Sequence, residues 1–572
     1  MYVPSAVSCV LFALPFVSAV PLDLLGTLKN TITNTLTTVS NTENAIVTSA
    51  SDIVDQVNKA LGKDILPSAI SSQEVLDSTL DDIRRELTEI NEIDATFAGL
   101  LQAVVQTYAP DSIPDALNRI NSIIGNTTNG VTLENVAELI LNGLSVTDLT
   151  QNVLAGYALS DINSYMNYNN PAPSTKIYPR KSPQDAQYNV PERDLRAAVY
   201  FPPTFTFSAK STKRPILFVP GTGAYGGVNF ISNLGKLLGQ DPRYDLAYLN
   251  VPGAMYNDTQ INSEYIAYAI NYVSSLTGNK GNLAVIGWSQ GNLDTQWAFQ
   301  YWPSTRSTTS DFISASADFH GTVLAYFLDP AFPDVVPNPP SVIQQEYDSN
   351  FVSVLRAGGG GSPYVPSTSV WSITDEIVQP QYDPIASASY SPVPAQPFCP
   401  VRSSSTTSIS TPLSRPTSTK SWSDPHSTSQ GSNHYKKRGS ATSVPSTSST
   451  TSNGALQGSG RYAFTNNQIQ TVCAGRPAGG IYLHEGVLFN PLMYALTLDA
   501  LENDGPGQVS RLDLDTVCNQ VVAPGLSLED ILATEGLIPL AALNLLLYPQ
   551  KTLDEPAIMP YAQVAPVARS CS

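Results

Sequence analysis

The sequence predicts an α/β fold with a mostly parallel central sheet, preceded by an N-terminal helical region. Two observations predict the sheet: continuous apolar segments recur after residue 212, and helix-like segments separate them. Strands that are apolar throughout are typical of a parallel sheet covered by helices on both faces. Ligands in such sheets lie beyond the carboxyl ends of the strands.

Five apolar segments are expected to be strands: 216–219, 246–251, 283–286, 312–317 and 370–373. Between the second and third segments, Ile266, Ile270 and Val273 share one helical face, which predicts a helix. Two further apolar runs, 323–328 and 537–547, are candidates for an acyl channel and an interface-facing rim, or else for core helices.

Residues 1–19 are expected to be a signal peptide, because a short apolar run is followed by the small residues Val17-Ser18-Ala19. No later segment reaches the ~20 apolar residues of a membrane-spanning helix. We therefore expect a secreted, extracellular protein without a transmembrane segment. Asn126 and Asn257 stand in acceptor sequences for N-glycosylation, which this route permits.

Residues 20–181 are expected to be helical, because apolar residues from Leu87 to Tyr108 recur at three- and four-residue steps. Thr132 is suited to cap a further helix. The region contains no His or Cys, and we assign it no chemistry. Arg180-Lys181 follows a Pro-rich stretch and is a candidate cleavage point. Two interpretations remain open: a pro-segment that is removed, or a permanent helical domain.

The remaining chain divides into a first part of the α/β domain (195–400), a Ser/Thr-rich insertion (401–458) and a second part (459–572). The insertion has too few large apolar residues to offset its ordering entropy, so we expect it to be disordered. Lys436-Lys437-Arg438 within it is a candidate processing site.

Composition restricts the partners of the protein. The net charge is −18, with 48 acidic and 30 basic residues, which argues against nucleic acid. The sequence contains no C-x-x-C pair, so a metal site is not expected. We expect a monomer that acts on a neutral or zwitterionic substrate.

The nucleophile is predicted in Gly287-Trp288-Ser289-Gln290-Gly291, which directly follows the apolar segment 283–286. A helix-like stretch, 292–301, comes next. G-x-S-x-G at a strand-to-helix turn is a nucleophile elbow, in which the glycines let strand and helix pass closely. Ser289 is therefore the predicted nucleophile.

A serine hydroxyl needs a base, and the chain has four histidines. His426 and His434 lie in the Ser/Thr-rich insertion. His320 precedes the acid candidate, whereas elbow hydrolases run Ser, then acid, then His. His484 remains as the predicted base.

Asp375 follows the segment 370–373 and is predicted to orient His484. The side chain of the adjacent Glu376 should point the other way if strand alternation continues. Thr222 and the backbone N–H of Gln290 are the predicted oxyanion donors. This chemistry requires no metal and no organic cofactor.

At these motifs the chain resembles the Candida antarctica lipase B family of fungal lipases, over roughly residues 195–572. The matching segments are LFVPGTG (217–223), NDTQINSEY (257–265), WSQG (288–291), DFHGTVL (318–324), TDEIVQP (374–380) and MPYA (559–562). The resemblance implies an α/β-hydrolase fold and a triacylglycerol lipase or carboxylesterase. It does not account for residues 20–180.

The resemblance also implies residue roles. It matches Ser289, Asp375 and His484 to the family's triad, and Thr222 and Gln290 to its oxyanion hole. It further implies that Trp288 lines an alcohol-side pocket and that Asp318 and Gln345 are polar residues beside the serine. Gly287 and Asn292 depart from the best-known member, which has Thr and Gly there.

The resemblance implies a disulfide between Cys473 and Cys518 that clamps the loop carrying His484. Cys571 matches another disulfide position, but the usual partner near Asp554 is absent. Because Cys9 leaves with the signal peptide, Cys399 is the remaining partner for Cys571.

The expected function is that of a secreted lipase acting at a lipid–water interface on carboxylic esters of triacylglycerols or related lipids, through an acyl-enzyme. A serine amidase or peptidase on the same fold is one alternative, because a triad alone does not select the ester. A catalytically silent secreted surface-binding protein is another.

Overall fold

The computed structural model describes residues 54–55, 57–59, 63–86, 90–124, 132–144, 161–325, 337–382, 385–390 and 454–563. Several predicted features lie outside these residues: the signal peptide, residues 401–453 of the Ser/Thr-rich insertion with its processing site, Asn126, Cys399 and Cys571.

A seven-stranded sheet forms the centre of the protein, with the strand order β1-β3-β2-β4-β5-β6-β7. The strands are β1 (Val199–Tyr200), β2 (Arg214–Val219), β3 (Tyr244–Leu249), β4 (Leu283–Trp288), β5 (Thr309–Ala315), β6 (Ser367–Trp371) and β7 (Phe464–Gln468). Strand β1 is antiparallel to β3, and every other neighbouring pair is parallel. The predicted mostly parallel sheet is confirmed.

Both faces of this sheet are buried. Along β2, Ile216 and Phe218 belong to one apolar core, whereas Leu217 and Val219 belong to the other. Successive side chains of a strand point to opposite faces, so a strand between two cores must be apolar throughout. The same reasoning explains why the five apolar segments became β2 to β6.

Strand β7 was not predicted, because its sequence Phe-Thr-Asn-Asn-Gln is polar. Its polar side chains are nevertheless buried and hydrogen-bonded. Asn466 Nδ2 donates to Tyr390 O at 3.0 Å, and Asn467 Nδ2 donates to Ser369 O at 2.9 Å. These contacts offset the cost of burying amides.

The described helices are α1 (Gln73–Glu86), α2 (Ile90–Ala103), α3 (Ile113–Ile124), α4 (Leu133–Leu141), α5 (Glu192–Ala197), α6 (Gly226–Phe230), α7 (Leu234–Gly239), α8 (Thr259–Leu276), α9 (Gln290–Tyr301), α10 (Ser304–Thr308), α11 (Pro340–Gln344), α12 (Asn350–Ala357), α13 (Ile469–Val472), α14 (Pro491–Glu502), α15 (Leu514–Cys518), α16 (Leu528–Glu535) and α17 (Leu537–Leu547). Helix α8 contacts α9, β2, β3 and β4, and α14 contacts β5 and β6. Nowhere in the described ranges is a helix long and apolar enough to cross a membrane.

The N-terminal helices pack on α17. This helix, LIPLAALNLLL, is apolar on nearly all sides, and α2 and α4 cover it. Thr132 caps α4 by accepting from Asn135 N, in a reciprocal capping box. The apolar helical face predicted from Leu87 to Tyr108 is too long, however. Helix α2 ends at Ala103, and Val105 is 46% exposed. The chain leaves the helix there because Val104 pairs with Ile70 in a β-bridge.

Candidate active site

Ser289 occupies a sharp turn between β4 and α9. Its φ of 53° and ψ of −134° are strained for a residue with a side chain. The surroundings hold this conformation: Ser289 N donates to Ala315 O at 3.1 Å, and Asn292 N donates to Ser289 O at 2.9 Å. Such a turn projects the serine side chain at the carboxyl end of the strand.

Glycines surround this turn because no side chain fits there. A Cβ at Gly221 would lie 2.8 Å from Ser289 Cβ, and one at Gly291 would lie 2.7 Å from Val219 O. A Cβ at Gly287 would overlap Asn292 Oδ1. The two departures from the family pattern are therefore in contact, and Asn292 fills the space beside Gly287. Asn292 Nδ2 also donates to Ala315 O at 2.9 Å.

Asp375 and His484 are in direct contact. His484 Nδ1 lies 2.8 Å from Asp375 Oδ2, and both residues are buried. The other carboxylate oxygen, Oδ1, accepts from Ile377 N at 3.0 Å and from Val378 N at 2.7 Å. The loop after β6 thus holds the carboxylate in one orientation toward the imidazole.

The expected orientation of Glu376 is wrong. Strand β6 ends at Trp371, so strand alternation does not reach residue 376. Glu376 Oε2 instead accepts from the backbone N of His484 at 2.9 Å. The two neighbouring acids therefore share one target: Asp375 binds its ring and Glu376 binds its backbone.

The backbone of His484 is held from its other side as well. Its carbonyl oxygen accepts from Ser316 Oγ at 2.7 Å and from Trp288 Nε1 at 3.1 Å. Its Nε2 has no hydrogen-bond partner among the described residues. Both the imidazole and Ser289 border the same cavity. Contacts between base and nucleophile often tighten only when substrate binds.

Thr222 and Gln290 lie together, as the oxyanion prediction requires. Thr222 Oγ1 donates to Gln290 Oε1 at 2.7 Å and lies 3.1 Å from Gln345 Oε1. To bind an oxyanion, this hydroxyl must rotate away from Gln290. The backbone N of Gln290 begins helix α9, where N–H groups are free to donate.

Sequence reasoning missed the anchor of Gln290. Its Nε2 donates to Asp294 Oδ2 and to Met255 O, both at 3.0 Å. Burial raises the pKa of Asp294 well above its usual range. The four-residue spacing on one helix was the available signal, because residues i and i+4 are neighbours on a helix surface.

The cavity has a volume of about 30 Å³. Its polar lining residues include Thr222, Ser289, Gln345 and His484. Its apolar lining residues are Trp288, Leu324, Ala325, Val342, Ile377, Val378, Ile538 and Ala541. No charged side chain of the described residues borders it. Part of the run 323–328 and part of α17 thus form walls of the cavity.

Asp318 does not line this cavity. The residue is fully buried, and neither carboxylate oxygen has a hydrogen-bond partner within the described residues. Burial, aided by the charge of Asp375, raises the pKa of Asp318 to about 7. The resemblance implies that Asp318 lies beside the serine, whereas in the structure its side chain is enclosed in the protein interior.

Other predicted residues are placed as follows. Cys473 and Cys518 form the predicted disulfide, with 5.2 Å between their Cα atoms. Asn257 is half-buried, and its side-chain oxygen accepts from Tyr548 OH at 2.6 Å. Burial and the charge of Arg356 lower the pKa of His320 to about 3, which leaves this histidine neutral in the fold.

The strand order and the elbow after β4 define an α/β-hydrolase fold. No sequence profile of a known protein family matches the chain. A segment of 177 residues is 42% identical to lipase B of Pseudozyma antarctica; it covers 30% of this chain and 49% of that protein, so the match spans about half of the relative. The crystal structure of Aspergillus fumigatus lipase B is similar at a TM-score of 0.65 and 36% identity, over 89% of this chain and 99% of the other. The chain belongs to the lipase B family of fungal lipases, which confirms the resemblance.

Proposed function

We propose that the protein is a serine ester hydrolase, and specifically a secreted lipase that cleaves carboxylic esters of triacylglycerols or related lipids. One observation carries the proposal: His484, whose ring contacts Asp375, borders the same cavity as the strained Ser289. Membership of the lipase B family supports the same reaction class.

In the proposed mechanism, Ser289 Oγ attacks the ester carbonyl while His484 Nε2 accepts the hydroxyl proton. Asp375 keeps the imidazole in the required tautomer and stabilises its cation. The N–H of Gln290 and the rotated hydroxyl of Thr222 donate to the oxyanion. His484 then protonates the leaving alcohol, and water releases the fatty acid by the same steps.

The cavity favours an ester with an apolar acyl group. Eight of its lining residues are apolar, and no charged side chain among the described residues lines the cavity to pair with a charged substrate. Apolar lining with few polar groups suits a lipid more than a peptide. Helix α17 supplies two of the apolar lining residues, Ile538 and Ala541.

Labelling with a fluorophosphonate tests the proposed nucleophile. The native protein should be labelled and should hydrolyse a p-nitrophenyl ester, whereas Ser289→Ala should do neither. Ser307→Ala changes an exposed serine and is the matched control. Hydrolysis of an anilide analogue at a similar rate would favour the amidase alternative. Absence of labelling in a folded native protein would favour the silent binding protein.

We also propose that residues 20–181 are a permanent domain of a monomeric secreted enzyme rather than a removed pro-segment. The match to Aspergillus fumigatus lipase B leaves about a tenth of this chain uncovered, which is less than the length of this region. Removing α2 and α4 would expose the apolar helix α17. The candidate cleavage point is also hydrogen-bonded to the folded domain, because Lys181 Nζ donates to Asn271 Oδ1 at 2.9 Å. Mass spectrometry of the secreted protein should find a start near Val20, and a start after Lys181 would contradict the proposal.

A further inference from the structure

An acidic side chain lies inside helix α9, one turn after Gln290. Asp294 is fully buried, and the other residues of α9 are buried as well. An aspartate is seldom fully buried in a protein without a partner. Asp318 and Asp258 are charged residues that act on Asp294, but both are acidic, so neither can form an ion pair with it. The burial of Asp294 therefore needs another explanation.

The side-chain amide of Gln290 supplies that explanation. The two hydrogens of Nε2 each have an acceptor, Asp294 Oδ2 and Met255 O, both at 3.0 Å. On the other side of the amide, Oε1 accepts from Thr222 Oγ1 at 2.7 Å and from Gln345 Nε2 at 3.1 Å. A reversed amide would set its oxygen against Met255 O and its NH2 group against that of Gln345. Without Asp294, one buried N–H of the observed orientation would have lost its acceptor, which destabilises that orientation.

The orientation of this amide determines the role of the Thr222 hydroxyl. Thr222 Oγ1 lies 2.7 Å from Gln290 Oε1 and 3.1 Å from Gln345 Oε1, and amide oxygens only accept. The hydroxyl is therefore held as a donor. When it turns to an oxyanion, Gln290 Oε1 keeps the hydrogen bond from Gln345 Nε2 and is not left unpaired. The rotation that catalysis requires thus costs little while the Gln290 amide keeps this orientation.

We propose that Asp294 is a positioning residue for the oxyanion hole, which holds the Gln290 amide so that the Thr222 hydroxyl is presented as a donor. Asp294 itself does not line the cavity. Its effect reaches the oxyanion through two hydrogen bonds, one from Gln290 Nε2 to Asp294 and one from Thr222 to Gln290 Oε1. This inference rests on the proposed ester hydrolysis and extends it to a residue outside the cavity.

Two substitutions of Asp294 separate the hydrogen bond from the packing. Asp294→Leu keeps the branching and the number of side-chain heavy atoms but removes the acceptor for Gln290 Nε2. Asp294→Asn keeps an acceptor oxygen, and it is uncharged, as is an acid whose pKa burial raises well above its usual range. On a soluble p-nitrophenyl ester, kcat of Asp294→Leu should fall by about 10- to 100-fold with KM unchanged, because an oxyanion donor acts in the transition state. Asp294→Asn should retain most of the native kcat.

A double-mutant cycle with Thr222→Val tests whether Asp294 acts through the hydroxyl. Thr222→Val removes the hydroxyl but keeps the shape of the side chain, and kcat should fall by about 10²–10³-fold. Once the hydroxyl is absent its orientation has no further effect, so Asp294→Leu/Thr222→Val should match Thr222→Val within about twofold. A loss in the double variant equal to the product of the two single losses would overturn the proposal, because disturbed packing acts independently of the hydroxyl. Asp294→Ala removes the acceptor without adding atoms, and it replaces Asp294→Leu in the cycle if the leucine variant does not fold.

The hydrogen bond between Gln290 and Asp294 can also be measured without catalysis. In protein labelled with nitrogen-15 glutamine, the side-chain NH2 signals of Gln290 are those missing from Gln290→Met. These protons should exchange slowly with solvent in the native protein and in Asp294→Asn, and faster in Asp294→Leu. Equal exchange in all three proteins would overturn the proposal. A native protein without esterase activity would contradict the proposed function, while the exchange rates would still decide whether Asp294 holds the Gln290 amide.

Discussion

His484 Nδ1 and Asp375 Oδ2 lie 2.8 Å apart, although 109 positions separate the two residues in the chain. The contact is possible because β6 and β7 are parallel neighbours and the loops that follow them leave the same edge of the sheet. Asp375 lies in the loop after β6, and His484 lies in the longer segment after β7. Each loop is then tied to the other, since Thr374 Oγ1 donates to Tyr482 O at 2.8 Å.

Replacing Asp375 should remove most of the esterase activity while leaving the fold intact. In Asp375→Asn the amide no longer supports the tautomer that accepts the serine proton at Nε2. We expect kcat on a p-nitrophenyl ester to fall by about 10³–10⁴-fold, as such triads generally require. The exposed Asp348→Asn is the control, and a loss below tenfold in Asp375→Asn would contradict the assigned role.

Gly287 and Asn292 should be energetically coupled. Gly287→Thr places a Cβ on Asn292 Oδ1, so the single variant should lose about 1–3 kcal/mol of unfolding free energy through overpacking. Asn292→Gly removes the obstructing side chain. The double variant should therefore recover part of the loss, which urea denaturation of all four proteins measures. Additive losses would show that the two positions are independent.

The disulfide should stabilise the segment that carries His484. Cys473 and Cys518 are 45 positions apart, and closing a loop of that length is worth about 4 kcal/mol by chain entropy. The double variant Cys473→Ser/Cys518→Ser should lose stability of that order in urea denaturation. At a temperature well below its Tm it should still hydrolyse esters. An unchanged free energy of unfolding would show that the bond contributes nothing.

Asp318 should make the fold less stable at alkaline pH. Its pKa of about 7 exceeds the value of 3.8 for a free aspartate, so its contribution to stability falls as the pH rises between these values. Asp318→Asn removes this ionisation. The variant should gain several degrees in Tm relative to the native protein at pH 8, and less at pH 5. The exposed Asp554→Asn is the control, and equal differences at both pH values would contradict the burial argument.

The sequence by itself determined the sheet, and it predicted Ser289 as the nucleophile and His484 as the base. The elbow is a local steric requirement, visible in five consecutive residues around Ser289, and β2 to β6 are apolar because both faces of the sheet are buried. The scarcity of histidine isolated His484. Strand β7 escaped prediction because its amides are satisfied by distant partners, which no local pattern records.

Only the tertiary structure decided how the acidic residues around His484 divide their roles. Glu376 turns to the backbone of His484 because β6 ends before it, whereas Asp375 binds the imidazole ring. These contacts join residues 108 and 109 positions apart. Local propensity determines which strands and helices form, whereas contacts between side chains depend on where each element ends and what packs against it.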